Sequence, residues 1–365
     1  MVSKSENNQP VRMEGAVCPV PLTHNEKIVI GHGSGGKMSR DLIARLFLPQ
    51  FDNPILRQGD DAGVFSLHNY GRLAISTDSH VVWPLFFPGG DIGRLAVCGT
   101  VNDLAVMGAI PHYLTAGFIL EEGLDIQILE QIINSMRCAA EEAGIQIIAG
   151  DTKVVQKGKA DGLYINTAGF GTIPDRVRIS GSNTQPGDVV ILSGTIGDHG
   201  IAVLSARGDL GFEADVVSDI APLNHLVEAI INSSTTEGLE TTIHTMRDPT
   251  RGGVASTLNE IASQSKVGII LEENQIPIKP VVMAACEMLG FDPLYIANEG
   301  KILATVQREV APVILESLHS SRYGEDAAII GEVVASPVGR VLMKTSIGTT
   351  RVVDIPSGEI LPRIC

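Results

Sequence analysis

Acidic side chains stand at the ends of apolar, β-branched runs along this sequence. Oxygen donors in such places can hold a hard cation against phosphate. The stretch "GDDAGV" pairs Asp60 with Asp61. "STDSH" closes one run at Asp78, and "AGDTKVV" closes another at Asp151, with Thr152 and Lys153 just beyond. "VNDLAVMGA" sets Asn102 and Asp103 in a helical pattern. "RDPTRGG" supplies Asp248, and "ANEGK" supplies Asn298, Glu299 and Lys301. Any one of these alone is more often a turn or a helix cap than a ligand. Together they suit Mg²⁺ bridging to phosphate oxygens, not zinc. His32, His80, His112 and His199 show no paired metal spacing.

A glycine-rich stretch precedes them: "KIVIGHGSGGKMSR", from Lys27 to Arg40. Gly31, Gly36 and Lys37 match a phosphate-loop pattern until Met38 stands where a Ser or Thr hydroxyl would help hold Mg²⁺. A soft thioether cannot replace that hydroxyl. Two readings remain: a helix start that still contacts phosphate, or a flexible turn.

A thiol ends the chain. Cys18, Cys98, Cys138, Cys286 and Cys365 stand alone, with no C-x-x-C pair, which argues against a disulfide framework and for a reducing cytoplasm. Cys365 is the last residue, so it can enter a narrow site with no chain beyond it. Its thiolate would be the nucleophile. Its own α-carboxylate disfavours that second charge, and Arg363 offsets part of the penalty. Extended, the segment from Glu359 to Cys365 spans roughly 23–25 Å, with Pro362 stiffening the tip. Prenylation is excluded, because that motif needs Cys fourth from the end.

Elements that could position these groups alternate along the chain. "RLAISTD", "YLTAGFIL", "IQIIAGDTKVV" and "LYINTAGFGTI" read as strands. Amphipathic helices are predicted near Asp91–Met107 and Asp125–Ala143. The polar segment "ISGSNTQPGD", Ile179–Asp188, reads as a linker. The pattern then restarts with "VVILSGTIGDHG", a helix near Ala221–Asn232, "VGIILEE", a helix near Val281–Leu289, and "KILATVQ". A last strand is predicted at Arg351–Ile355. The net charge of −15, with no Lys/Arg cluster, argues against nucleic acid or an anionic membrane as partner. No apolar run reaches the roughly 18–20 residues that span a bilayer. The polar start reads as a loose leader, with Met13 as an alternative initiation point.

These residues, in this order, resemble the ATP-binding superfamily of aminoimidazole ribonucleotide synthetase (PurM), selenophosphate synthetase and thiamine monophosphate kinase, from about Lys27 to the C-terminus. Within it the sequence resembles the HypE family of hydrogenase maturation proteins, the carbamoyl dehydratases. "GHGSGGK", "NDLAVMGA" with "GDTKVV", and the terminal "LPRIC" carry that resemblance. Selenophosphate synthetases keep their reactive Cys near the N-terminus, where this chain has none in the glycine loop. Thiamine phosphate kinases have no terminal Cys motif.

The resemblance implies an α+β, two-domain PurM-like fold. Residues 1–25 would be the leader, 26–180 an N-terminal ATP-binding and dimerisation domain, 181–349 a C-terminal α/β domain, and 350–365 a flexible tail carrying the reactive Cys. It implies a cytoplasmic homodimer using ATP and Mg²⁺. A carbamoyl group carried on Cys365 would be dehydrated to an S-cyano group for the cyanide ligands of [NiFe]-hydrogenase iron. A HypF-type carbamoyltransferase would be the donor and a HypC–HypD complex the acceptor. By the same resemblance Asp61, Asp103 and Asp248 are the magnesium ligands. Gly35, Lys37, Asp60, Asp78, Asn102, Asp151, Thr152 and Asn166 line the nucleotide site. Lys153 and Glu299 flank the carbamoyl group, Glu299 as proton acceptor and Lys153 as stabiliser of oxygen or phosphate. The alternatives are an ATP-dependent small-molecule synthetase or kinase of the same superfamily, a non-catalytic scaffold, and a phosphate-loop NTPase.

Overall fold

The computed structural model describes residues 28, 32, 36–67, 71–208, 214–234, 242–356, 361 and 363–365. Gly35, the leader and part of the tail lie outside the described residues. Two mixed sheets organise the chain. The first half runs α1 (Lys37–Leu42), a π turn, α2 (Leu48–Phe51), β1 (Gly63–Leu67) and β2 (Gly71–His80). The short hairpin β3 (Phe86–Phe87) and β4 (Gly90–Asp91) leads into α3 (Ile92–Val106). Then follow β5 (Ile110–Glu121), α4 (Ile126–Ala143), β6 (Gln146–Val155) and β7 (Leu163–Ile173).

The first sheet has the order β1-β2-β7-β5-β6. β5 and β6 pair in parallel because α4 crosses between them, while the other neighbours are antiparallel. Asp91 caps α3 by accepting from the Gly93 and Arg94 amides, and Asp125 caps α4 through the Gln127 amide. The sequence predicts α3 as amphipathic. It is instead a central helix in which every residue but Arg94 and Asp103 is buried. Its small residues permit this, since a Cβ on Gly93 would meet the Ile132 carbonyl oxygen at 2.4 Å.

The second half runs β8 (Val189–Leu192), α5 (Asp198–Ala206), α6 (Asn224–Ser234), β9 (Ile243–Arg247), α7 (Gly253–Ser265), β10 (Gly268–Glu272) and α8 (Pro280–Leu289). β11 (Leu303–Val306), α9 (Ala311–His319), β12 (Ala328–Val334), β13 (Arg340–Lys344) and β14 (Thr350–Val353) complete it. The sheet order is β14-β13-β10-β12-β8-β11-β9. β14 pairs with β13, so this sheet runs past residue 349 and the tail proper starts after Val353.

One apolar core joins the halves, with Leu104 of α3, Ile173 of β7, Ile191 of β8, Leu223 and Ala304 of β11 packed together. The segment predicted as a linker is built into this joint. Ser180 Oγ and the Gly181 amide both donate to the Asp60 carboxylate at 2.8 Å. Among the described residues, no helix is long and apolar enough to cross a membrane.

Candidate active site

The ends of several elements converge on a cavity of about 290 Å³ between the two halves. Asp61 precedes β1, Asp78 lies near the end of β2, and Asp103 projects from α3. Asp248, Thr250 and Arg251 come from the turn between β9 and α7, Glu299 from the loop before β11, and Cys365 from the chain end. The turn is possible because Gly252 and Gly253 take φ of +77° and +59°, and a Cβ on Gly253 would meet the Leu294 carbonyl oxygen at 2.5 Å.

The electrostatics are those of an acidic pocket short of cations. Burial, reinforced by Asp61, pushes the Asp248 carboxyl up to about 8. Burial raises Asp61 to about 6 against the nearby Arg247 charge. Burial and then Asp248 hold Asp103 well above the usual carboxylate range. Asp78 is the exception. Burial pulls it up, but the hydrogen bond and charge of His80 prevail and hold it low. Arg247 is itself buried, donating to Asp61 Oδ1 and the Gly59 carbonyl at 2.7 Å, and so fixes one wall.

Glu299 and Cys365 form the second feature. Burial and then Asp248 push the Glu299 carboxyl well up. Its Oε1 is buried and has no hydrogen-bond partner among the described residues. The Cys365 thiol lies against this carboxyl, near Arg251 and Asp78. Burial and Glu299 raise the thiol well above its ordinary value, and Arg251 opposes them.

The backbone at Glu299 is fastened from the opposite side. Its amide donates to Asp219 Oδ1 at 3.1 Å, and Asn102 Nδ2 reaches its carbonyl at 3.4 Å. A Cβ on the next residue, Gly300, would lie 1.7 Å from the Asp219 carbonyl oxygen. Gly300→Ala is therefore expected to destabilise the protein by about 1–3 kcal/mol and to displace Glu299. Thermal unfolding checks this, and an unchanged melting temperature would contradict the packing argument.

The structure brings together Asp61, Asp78, Asp103, Asp248, Glu299 and Cys365, and sets the other predicted residues apart. Asp60 holds the Ser180–Gly181 turn. Asn102 faces away from the cavity, accepting from the Leu223 amide and donating to the Ala221 carbonyl. Asn166 on β7 braces the end of β2, donating to Asp78 O and Ser79 Oγ at 2.9 Å. Lys37 opens α1 with its side chain exposed. Asp151, Thr152 and Lys153 lie on β6, the outer strand of the first sheet, where Lys153 pairs with Asp151 and is 68% exposed. Lys153 therefore does not reach Glu299 within its own chain, because β7 and β5 stand between β2 and β6. Arg247, Arg251, Thr257 and Glu260 also line the cavity and were not expected. The arginines of "RDPTRGG", beside the Asp248 read from that motif, are the signal that could have found Arg247 and Arg251.

Profiles described as AIR synthase related protein, N-terminal domain and C-terminal domain match residues 59–173 and 185–344. The chain is 52% identical over 341 residues to a carbamoyl dehydratase HypE of Rhizobium leguminosarum bv. viciae, covering 93% of this chain and 96% of that one. It is similar to a crystal structure of a HypE–HypF complex, with a TM-score of 0.80 at 49% identity, covering 86% of this chain and 99% of that one. A HypE crystallised in complex with ATP matches with a TM-score of 0.76 at 48% identity, over 93% of this chain and 100% of that one.

Proposed function

This chain belongs to the HypE carbamoyl dehydratase family, on the two-domain AIR synthase-related fold, and we propose that it dehydrates a carbamoyl group carried on Cys365 to an S-cyano group. The observation that carries this reading is the terminal thiol seated against Glu299 in the acidic cavity. The chemistry needs such a pairing. In the thiocarbamate Cys365–S–C(=O)–NH₂, the carbonyl oxygen must leave and both amide protons must be removed. An amide oxygen is a poor leaving group, and bound ATP supplies the phosphoryl group that converts it to a phosphate ester oxygen. Glu299 accepts protons from the amide nitrogen in its ionised form, which its raised pKa makes a strong base once formed, with its free Oε1 available to them. Arg251 balances the anionic charge around the reacting carbon.

Asp61, Asp103 and Asp248 would hold Mg²⁺. The fit rests on the buried Asp61 Oδ2, which has no hydrogen-bond partner among the described residues, and on the proton-holding state of this carboxylate set. Among the described residues, no three such side chains converge tightly enough to hold a metal ion alone. A Mg²⁺ held by these carboxylates would take its remaining oxygen donors from the nucleotide phosphates. Cation binding must displace the protons held by Asp61 and Asp248, so affinity for Mg²⁺–nucleotide rises as pH climbs from about 6 to about 8. Calorimetry in buffers of different ionisation enthalpy should show proton release over that window. Uptake, or no exchange, would contradict the assignment.

A homodimer would use the exposed β6 edge, where Ile147, Ile148 and Val154 face solvent. Lys153 sits on the same strand, and we assign it the oxygen-stabilising role only in that assembly, acting at the partner's cavity. A HypF-type transferase would load Cys365, and a HypC–HypD iron complex would take the cyano group for the cyanide ligands of [NiFe]-hydrogenase. The direct test is nucleotide turnover. Carbamoyl-loaded protein should consume about one ATP per loaded Cys365, and unloaded protein should consume almost none. Equal hydrolysis by both would favour the small-molecule synthetase alternative.

A further inference from the structure

The end of the chain is docked into a formed groove. Ile364 is only 4% exposed and belongs to the core that packs around α3. The backbone around it pairs with the stretch after β2: the Trp83 amide donates to the Arg363 carbonyl, and the Val81 amide to a Cys365 carboxylate oxygen, both at 3.2 Å. This is a short strand addition, which fixes the backbone without reading its side chains.

The other wall of the groove is α5. A Cβ on its Gly200 would lie 3.1 Å from Leu361 Cδ1. Arg207, at its C-terminal cap, donates from Nη2 to the Arg363 carbonyl and from Nε to the Trp83 carbonyl, each at 2.8 Å. It thus ties the tail to the strand it pairs with. His199, fully buried, places Nε2 2.8 Å from the Ile364 carbonyl and Nδ1 2.8 Å from Ser218 Oγ. A carbonyl can only accept, so Nε2 carries the proton and Nδ1 accepts from the Ser218 hydroxyl. Burial also depresses the imidazole's pKa, which favours this neutral tautomer. The Phe87 ring meets the imidazole edge-on at 5.5 Å and holds its plane.

We propose that α5 is the receiving helix for the tail, with His199 and Arg207 as positioning residues that grip the last two peptide carbonyls and so set the Cys365 thiol against Glu299. The proposal rests on Cys365 being the carrier, but its central contacts are the carbonyl grips themselves. Neither residue lines the cavity or contacts the reacting atoms. Their role is to convert a tethered thiol into a held one, which lowers the cost of ordering the reactant.

The test uses full-length protein and iodoacetamide, with alkylation followed by mass at Cys365 alone. Arg207→Met, a partly exposed position, and His199→Leu should each speed Cys365 alkylation by roughly five- to tenfold, the loss expected for one hydrogen bond. In both variants, dehydration of preloaded protein should slow while nucleotide affinity holds. His199→Gln, whose amide N–H can donate to the same carbonyl, should recover most of the protection. Unchanged alkylation in both variants would overturn the proposal, as would faster alkylation with an unaffected dehydration rate. Failure of the wild-type protein to accept a carbamoyl group at Cys365 would count against the carrier reading instead, and alkylation would still decide the docking.

Discussion

Replacing Cys365 with alanine abolishes carbamoyl loading and all loading-dependent ATP consumption, while folding and nucleotide binding survive. The expectation follows from what the residue touches. Its thiol contributes one apolar-to-polar contact at the cavity wall, and the core below it is anchored by Ile364. Truncation at such a site costs under about 1 kcal/mol. The four aspartates that define the nucleotide end come from other elements and keep their positions. Among the described residues no other thiol can substitute: Cys98 and Cys286 are buried, and Cys138 lies exposed on α4, away from the cavity, while Cys18 lies outside the described residues. Turnover is measured as phosphate release in the presence of transferase and carbamoyl donor. Residual loading-dependent turnover in the alanine variant would mean that the carrier is another group.

The second large effect is expected from Glu299→Gln. The amide keeps the shape of the carboxyl and mimics its protonated form, which is the form burial favours here. Fold and tail docking should therefore be retained, with a melting temperature equal to or above that of the parent. What is lost is the ionised carboxylate, the only form that can take the amide proton and one that glutamine never provides, and the dehydration rate of preloaded protein should fall by roughly 10²–10⁴. Single-turnover kinetics followed by mass isolate that step from loading. A rate equal to the parent's, with Glu299 changed, would transfer the base role elsewhere in the cavity.

Part of this site is legible in the residues alone. Some of the acidic motifs were legible because they sit where an apolar run ends, as at Asp78, and the cavity gathers Asp61, Asp78, Asp103, Asp248 and Glu299. The same logic also picked Asp151, which lies on β6 outside the cavity, and Asp103 projects from within α3. α4 was legible for the same kind of reason: a capped, amphipathic stretch facing one sheet. α3 was located but misjudged in character, because burial on all sides follows from α4 and the sheet closing over it, a tertiary fact. α7 was not read at all. Its "GVASTLNEIASQS" carries small and polar residues in place of a clear apolar stripe. The resemblance places Lys153 beside Glu299, and strand order sets it apart from Glu299 within one chain; no local pattern records that β6 is the outermost strand. The tail is the sharpest case. One isoleucine between Arg363 and Cys365 has no periodicity to reveal it, although that side chain and two carbonyls hold the reactive end in place.

The proposed reaction comes down to the fate of one group on one sulfur. The measurement that tests it most directly is the intact mass of transferase-loaded protein before and after ATP, with the adduct mapped by peptide. The expected result is a carbamoyl adduct at Cys365 that loses the mass of one water only when ATP is added. An adduct elsewhere, or a Cys365 adduct unchanged while ATP is consumed, would contradict it.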